Sequence, residues 1–247
     1  MDQTEFASRV TQIRENLAVV RRNIAEAARR SGRDPEDVRL VAVTKQVPLD
    51  MVRAGIEAGL TCFGENYPEQ AVEKILALQS EQKIQWHMIG HIQSRKSRTV
   101  CQHFDSVHSV DRMKIIRHLD KYCHELSRVM PVLVEVNISG EDSKYGWSAW
   151  DEHAWGQLVP PFREMTQAEN LDVQGLMSMP PFYDDPKKTR PLYQKLRRLQ
   201  AFLREEVPQS KWNELSIGTS FDYPVAVEEG ATMVRIGTQL FGSRPVM

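Results

Sequence analysis

The chain has 247 residues, of which 41% are hydrophobic and 26% are charged, and these proportions are those of an ordinary soluble globular protein. The formal net charge of -1 excludes a global electrostatic attraction to nucleic acid or to an anionic membrane. The three cysteines lack the spacing of a zinc site and favour a reducing compartment. No apolar run is long enough to cross a bilayer and no signal-peptide pattern is present, so we expect a cytoplasmic protein.

The first predicted element is a helix over about residues 3–31, because apolar residues recur at steps of four and three from Phe6 to Ile24. The valine-rich run VRLVAVTK then indicates a strand that is buried on both faces. Helical and strand patterns alternate from there onward, and further strands are predicted in TCFGEN, IQWHMIG, FDSVHSV, MPVLVEVNI, LDVQGLMSM, NELSIG and TMVRIG. The segment WDEHAWGQLVPPFREMTQ is expected to form a helix that its two prolines interrupt.

About eight strands, each followed by a helix or a loop, predict an α/β fold of the (β/α)8 barrel type over about residues 38–243. A doubly wound open sheet is the alternative. That fold usually carries a glycine-rich phosphate-binding turn after an early strand, and the sequence contains neither G-x-G-x-x-G nor G-x-x-x-x-G-K-[ST]. We therefore expect residues 1–247 to form one barrel domain with an additional N-terminal helix. A closed barrel has no sheet edge, which favours a monomer.

Lys45 follows the first predicted strand, and the active site of such a barrel lies at the C-terminal ends of its strands. A buried unpaired ammonium group is costly, so the amine is expected to emerge at the barrel mouth. The seventh and eighth strands end in glycines and small hydroxyl residues, whose N–H and O–H groups are typical of a phosphate cradle. These residues are Ser216, Gly218, Thr219, Ser220, Gly237 and Thr238. The alternative is two ordinary turns with helix caps.

A lysine and a phosphate site at one barrel mouth allow two chemistries. The first is a Schiff-base aldolase that acts on a sugar phosphate, and the second is pyridoxal 5'-phosphate (PLP) held by the lysine as a Schiff base. In either case the attacking amine must be neutral, and partial desolvation together with nearby cations lowers the pKa of a lysine. From the residues alone, Lys45 could equally be a surface lysine at a strand end.

Some histidine-containing and charged segments are predicted to have no binding role. His87 and His91 are four residues apart, but Gly90 and the strand pattern break the helical geometry that a zinc pair needs, so no metal is expected. Glu141-Asp142 lacks further acidic ligands at EF-hand spacing and is expected to be a solvated loop. The local basic clusters are interpreted as solvated faces rather than as nucleic-acid contacts.

Seven motifs, taken in order, resemble those of the pyridoxal phosphate homeostasis protein family. They are VAVTK, FGEN, WHMIGHIQ, VHSVD, VNISGEDSKYG, GLMSM and LSIGTSFD...A...GATMVRIGTQLFG. The match runs from about Leu40 to Gly242. That family is similar to the barrel half of a bacterial alanine racemase without its second, β-rich domain. The resemblance therefore implies a PLP-binding barrel of the alanine racemase N-terminal type.

By this resemblance, Lys45 forms the Schiff base with PLP, and Arg235 faces the pyridine nitrogen. Lys144 corresponds to a family lysine implicated in a secondary handling of PLP. Thr219 carries a hydroxyl where the family often has an apolar side chain. Arg95 stands where the family often has asparagine, and no functional conclusion follows from that second difference. The residues implied beside the cofactor are Asn66, Met177 and Ser178, and those around its phosphate are Ser216, Gly218, Thr219, Ser220, Gly237 and Thr238.

The arginine bears on the mechanism, because a guanidinium stays charged and can only donate hydrogen bonds. Arg235 would keep the pyridine nitrogen unprotonated, and such a ring stabilises a carbanion less well. A racemase also needs a second base, which the missing domain supplies in alanine racemase. The nearby candidates here are Tyr67, Tyr145, His87 and His108.

The resemblance therefore implies a PLP carrier or regulator with little or no turnover. Such a protein stores the cofactor, delivers it to PLP-dependent apoenzymes and keeps the pools of vitamin B6 and amino acids balanced. The first alternative is a weak amino-acid racemase, and the second is a Schiff-base aldolase that acts on a phosphorylated sugar. The chain is expected to bind neither nucleic acid nor a membrane.

Overall fold

The computed structural model describes residues 2–80 and 84–242, and parallel strands in this part of the chain form a closed barrel. Neighbouring barrel strands are joined by parallel pairing, the last strand pairs back onto the first, and the short β6 pairs with β5. The strands are β1 (Arg39–Val43), β2 (Cys62–Glu65), β3 (Gln85–Met88), β4 (Ser106–Val110), β5 (Met130–Asn137), β6 (Trp147–Ser148), β7 (Leu171–Met177), β8 (Glu214–Thr219) and β9 (Met233–Ile236). The predicted (β/α)8 barrel is confirmed, and the open sheet is wrong because β4 pairs with β5 and β1 with β9.

Helices ring the barrel, and one long helix precedes it as predicted. No helix in the described part of the chain combines the length and apolar character that crossing a membrane requires. The α-helices are α1 (Gln3–Arg30), α2 (Leu49–Glu57), α3 (Pro68–Ala77), α4 (Ser97–His103), α5 (Met113–Glu125), α6 (Val159–Met165), α7 (Arg190–Glu206), α8 (Tyr223–Glu228) and α9 (Thr238–Phe241). Short 3-10 helices span Pro35–Asp37, Ser94–Lys96, Glu152–Leu158 and Pro186–Thr189.

Strands β2, β4 and β9 are buried at every position because both of their faces are covered. All five residues of β4 are buried, and the last three of β1 are buried as well. One face of each strand meets the helices and the other meets the barrel interior, where a small apolar cluster forms. That cluster consists of Val41, Cys62, Leu133, Met177 and Met233.

The segment around the two adjacent prolines differs from the prediction of one interrupted helix. Residues Glu152–Leu158 form a 3-10 helix, and α6 begins at Val159. Pro160 and Pro161 therefore lie in the first turn of α6, where a missing N–H group costs no intrahelical hydrogen bond. The prolines start a helix here rather than break one.

Helix α1 joins the beginning of the fold to its end. It packs against α2, α8 and α9. Asn16 Nδ2 donates to Leu240 O at 3.0 Å, and Asn23 Nδ2 donates to the hydroxyl oxygen of Tyr223 at 2.8 Å. The buried stripe that faces the barrel helices is Val10, Ile13, Leu17, Val20, Ile24, Ala27 and Ala28.

Candidate functional site

The C-terminal ends of the barrel strands surround a cavity of about 880 Å³. Because all strands are parallel, the segments that follow them meet at this one end of the barrel. Eight of the twelve residues singled out from the sequence line the cavity. They are Lys45, Asn66, Lys144, Thr219, Ser220, Arg235, Gly237 and Thr238.

Lys45 is positioned by a tight turn at the end of β1. The N–H of Thr44 donates to Gly64 O at 3.0 Å, and the N–H of Val47 donates back to Thr44 O at 3.0 Å. Gln46 has a φ of +61°, in the left-handed region that residues with a Cβ rarely adopt. The turn ends the strand and leaves the partly buried Lys45 on the wall of the cavity.

Behind this turn lies a buried polar cluster that sequence reasoning missed. The Thr44 hydroxyl donates to Glu65 Oε1 at 2.8 Å. Lys74, from α3, donates to the same carboxylate oxygen and to Thr44 O, each at 2.7 Å. The residue that precedes Lys45 is therefore held on both its side chain and its carbonyl.

Arg235 lies on β9, opposite Val41 of β1, and its guanidinium is held by acceptors from β8 and from the residue that follows β7. Its Nη1 donates to Ser216 O and to Ser216 Oγ, both at 2.6 Å, and its Nη2 donates to Ser178 O at 3.1 Å. A guanidinium has five N–H donors, so two remain beyond these three bonds. Burial lowers the pKa of Arg235, and Tyr193 and Glu135 oppose that shift.

Two histidines lie beneath the cavity rather than in it. His108 Nδ1 is 2.9 Å from Ser216 Oγ, and His108 Nε2 is 2.9 Å from His87 Nδ1. Burial lowers the pKa of His87 to about 4, and burial also lowers the pKa of His108 well below its ordinary value. Both imidazoles are therefore neutral near pH 7, and neither lines the cavity.

The turn after β8 is braced by an aspartate. The Thr219 N–H and hydroxyl both donate to Asp222 Oδ1, at 2.8 and 3.0 Å. The N–H of Gly237 donates to Ser220 Oγ at 3.1 Å, which ties this turn to the one after β9. The hydroxyl of Thr219 therefore stabilises the turn itself, and Thr219, Ser220 and Thr238 all line the cavity.

Four of the residues singled out from the sequence lie behind the cavity wall. Ser178 and Ser216 are buried and hold Arg235. Met177 packs in the apolar cluster inside the barrel. Gly218 has a φ of +88°, and a Cβ there would meet Ala226 Cβ at 2.6 Å. These four residues shape the site without lining it.

Glu135 lines the cavity and was not singled out from the sequence. Burial raises the pKa of its carboxyl to about 7, and the charge of Asp111 acts in the same direction, while Arg235 opposes it. A charged residue inside the apolar run MPVLVEVNI was the available signal. A strand buried on both faces tolerates such a side chain where it reaches a polar cavity.

The histidines of the segment WHMIGHIQ face different surroundings. His87 points into the barrel, whereas His91 stacks on Tyr145 with ring centroids 4.2 Å apart. His91 Nδ1 lies 2.7 Å from Asp111 Oδ2. Arg95 lines the cavity, and its Nε donates to a neighbouring glutamine oxygen at 3.1 Å. His91, Tyr145 and Arg95 therefore form one side of the cavity wall.

The sequence that folds into this parallel barrel matches a known protein family. The family described as "Alanine racemase, N-terminal domain" matches residues 16–245. The pyridoxal phosphate homeostasis protein of Pseudomonas aeruginosa is 40% identical over 235 residues, which cover 95% of this chain and 97% of that protein. The protein of the same name from Vibrio alginolyticus is 37% identical over 238 residues, which cover 95% and 99%.

A solved structure is similar to this chain as well. PipY of Synechococcus elongatus PCC7942, with PLP bound, is 34% identical and superposes with a TM-score of 0.81, covering 94% of this chain and 100% of PipY. The chain belongs to the pyridoxal phosphate homeostasis protein family, as its motifs predicted.

Proposed function

We propose that this protein binds PLP in the cytoplasm and takes part in intracellular PLP and amino-acid homeostasis, with little or no enzymatic turnover. One observation carries the proposal: Lys45, in the turn that follows β1, and Arg235, on the neighbouring strand β9, line one cavity together with hydroxyl-bearing turns. Relatives named pyridoxal phosphate homeostasis proteins and the PLP-bound PipY support the same cofactor.

The residues of the cavity fit the chemistry of PLP. Lys45 offers an amine, Arg235 retains N–H donors, and the hydroxyls of Ser220 and Thr238 suit a phosphate. A cavity of about 880 Å³ is ample for one substituted pyridine ring. PLP supplies an aldehyde that bonds a lysine amine as a Schiff base.

Each residue has a separate role in this proposal. Lys45 Nζ is the covalent attachment point. Arg235 donates a hydrogen bond to the pyridine nitrogen and keeps it unprotonated, since a guanidinium has no acceptor and does not give up its charge. Lys144, on the wall of the same cavity, handles PLP at a secondary position. Ser220, Gly237 and Thr238 surround the phosphate, while Gly218 and Thr219 shape the turn after β8. Asn66 lines the cavity beside the ring. Ser216 and Ser178 hold Arg235, and Met177 packs behind the cavity wall.

Low turnover is proposed because the candidate second bases are poorly suited. His87 and His108 lie beneath the cavity and face each other. Tyr145 is 60% exposed and Tyr67 is 47% exposed, so solvent reaches both phenols. A weak amino-acid racemase that uses one of these tyrosines is the alternative function.

Borohydride reduction of the protein after incubation with PLP, followed by peptide mass spectrometry, tests the attachment residue. We expect a phosphopyridoxyl adduct on Lys45 and none on that peptide in Lys45→Ala. Lys121→Ala, which alters an exposed lysine of α5, is the matched control and should keep the adduct. An adduct confined to other lysines contradicts attachment at Lys45, whereas the absence of any adduct contradicts the proposal and favours the aldolase alternative.

Exchange of the α-proton of alanine or serine in deuterated water tests turnover. We expect the wild-type protein to exchange no faster than Lys45→Ala. Rapid exchange that Lys45→Ala abolishes would favour the racemase.

We also propose that the barrel is a monomer that transfers PLP to apoenzymes. Sedimentation equilibrium measures the oligomeric state, and PLP-dependent reactivation of an apoenzyme measures the transfer.

A further inference from the structure

A chain of hydrogen bonds crosses the interior of the barrel from Arg235 to Cys62. Arg235 Nη1 donates to Ser216 Oγ at 2.6 Å, and Ser216 Oγ lies 2.9 Å from His108 Nδ1. His108 Nε2 lies 2.9 Å from His87 Nδ1, and His87 Nε2 lies 3.5 Å from Cys62 Sγ. All five residues are buried, and they come from β9, β8, β4, β3 and β2. The chain links Arg235 in the cavity wall to Cys62, the first residue of β2.

The donors and acceptors of this chain are best satisfied in one direction. A guanidinium can only donate, so Ser216 Oγ accepts from Arg235. If Ser216 then donates to His108 Nδ1, each imidazole donates through Nε2–H and the Cys62 sulfur accepts. In the reverse direction, the Ser216 hydroxyl proton has no acceptor among the hydrogen bonds of the described residues, which is costly for a buried hydroxyl. Both histidines are therefore assigned as Nε2–H tautomers.

Burial and nearby positive charges keep the histidines of this chain uncharged. Burial, and after it the charge of Arg39, lowers the pKa of His87 to about 4. Burial lowers the pKa of His108, and His87, Arg235 and Arg39 act in the same direction. Burial raises the pKa of the Cys62 thiol to about 12. The two imidazoles and the thiol are thus neutral, and the positive charge of the chain resides on Arg235.

We propose that His108, supported by His87, is a positioning residue for the cofactor site. Its Nδ1 accepts the Ser216 proton and thereby fixes Ser216 Oγ as the acceptor that orients the Arg235 guanidinium toward the cavity. The inference rests on the proposed function, in which Arg235 donates to the pyridine nitrogen of PLP. His108 does not line the cavity. It therefore acts through Ser216, and what it changes is the affinity for PLP and the visible absorption of the bound PLP.

Nitrogen-15 NMR of the histidine side chains tests the hydrogen-bond direction in the wild-type protein without added PLP. We expect Nε2–H tautomers for His87 and His108 from about pH 8 down to about pH 5, because protonation inside the barrel is disfavoured. An Nδ1–H tautomer at His108, or its titration near the ordinary value of 6.5, overturns the proposal. The measurement needs no variant, so a folding defect does not affect it.

Two substitutions at His108 test its effect on the cofactor. His108→Leu removes the acceptor and keeps a side chain of similar size, whereas His108→Asn keeps an oxygen near the position of Nδ1. We expect His108→Leu to bind PLP about tenfold more weakly and to shift the visible absorption band, and His108→Asn to restore both. His124→Leu, exposed on α5, is the matched control. Wild-type affinity and absorption in His108→Leu overturn the proposal.

Failure of the proposed function gives a different result from failure of this inference. If the wild-type protein yields no adduct on Lys45, attachment at Lys45 is wrong, while the tautomers still decide the direction of the chain. If wild type and His108→Leu both form the adduct with equal affinity, the function stands and the positioning role is wrong. Circular dichroism reports whether each variant folds. If His108→Leu does not fold, NMR of the wild-type protein alone tests the positioning role.

Discussion

Lys74 Nζ lies 2.7 Å from Glu65 Oε1 in the wall of the barrel, next to the strand end that leads to Lys45. Glu65 is fully buried, and the Lys74 side chain is 12% exposed. A buried carboxylate is tolerated when it is paired and hydrogen-bonded. Lys74 supplies that pairing from α3, and through its bond to Thr44 O it also anchors the turn that presents Lys45.

Lys74→Met should lower the free energy of unfolding by about 3 kcal/mol or more, because Glu65 then remains buried without its cation. Urea denaturation followed by circular dichroism measures the change. Lys121→Met is the control, since Lys121 forms an exposed pair with Glu125 at 4.0 Å and should cost less than about 0.5 kcal/mol. Equal stability of the two variants would show that the buried pair adds no more to the free energy of unfolding than the exposed pair does.

Glu135→Gln should stabilise the protein at alkaline pH. The folded pKa of Glu135 is about 7, above its ordinary value of 4.5, so the folded state binds the proton more tightly than the unfolded state. In the wild-type protein, the stability that the protonated Glu135 carboxyl contributes is therefore lost as pH rises from 4.5 to 7. The glutamine variant lacks this loss and should be more stable by roughly 3 kcal/mol above pH 7, with no difference at pH 4.

Thermal or urea denaturation across this pH range measures the effect of Glu135→Gln. Glu169→Gln, at an exposed position, is the control and should follow the wild-type curve. A stability difference between Glu135→Gln and wild type that is constant with pH would mean that the carboxyl does not titrate in this window.

Gly175→Ala should disrupt the contact between β7 and β8. Gly175 pairs with Glu214, and a Cβ on Gly175 would lie 1.9 Å from Glu214 O. Because a backbone oxygen cannot move aside, we expect a loss of about 3 kcal/mol in the free energy of unfolding. Gly156→Ala is the matched control, since no atom lies within 4 Å of the added methyl. A Gly175→Ala protein as stable as Gly156→Ala would mean that the two strands are farther apart.

Arg235→Lys should weaken PLP binding about tenfold or more, because an ammonium group cannot reproduce the planar fork that bonds Ser216 and Ser178. The adduct on Lys45 should still form at high PLP concentration, since the attachment amine is unchanged. Absorption titration with PLP measures the affinity. Arg117→Lys, in an exposed pair with Glu164, is the control. An unchanged Kd for PLP would mean that Arg235 does not contribute to PLP binding.

The barrel and the position of its cavity could be predicted because they depend on local patterns. A strand covered by helices and by the barrel interior is largely apolar, as β1 is from Leu40 to Val43. The ends of such strands then gather at one mouth, which brought Lys45 and Arg235 into a single predicted site.

The side-chain clusters could not be predicted, because they depend on reach across elements. Lys74 occurs in the ordinary helical pattern PEQAVEKILA, and nothing in that pattern shows that its amine turns inward to Glu65. Likewise, the histidines of WHMIGHIQ and VHSVD give no sign that His87 and His108 meet inside the barrel. Only the packing of β3 beside β4 brings them together.

Closure of the barrel unites the earliest and the latest parts of the polypeptide. Val41 of β1 pairs with Arg235 of β9, and α1 is fastened to Leu240 and Tyr223. During synthesis on the ribosome, Lys45, the proposed attachment residue, therefore emerges nearly two hundred residues before Arg235, the proposed partner of the PLP ring. A polypeptide terminated short of β9 would carry Lys45 without the complete cavity, and under the proposed function we expect such a fragment to take up less PLP than the full chain.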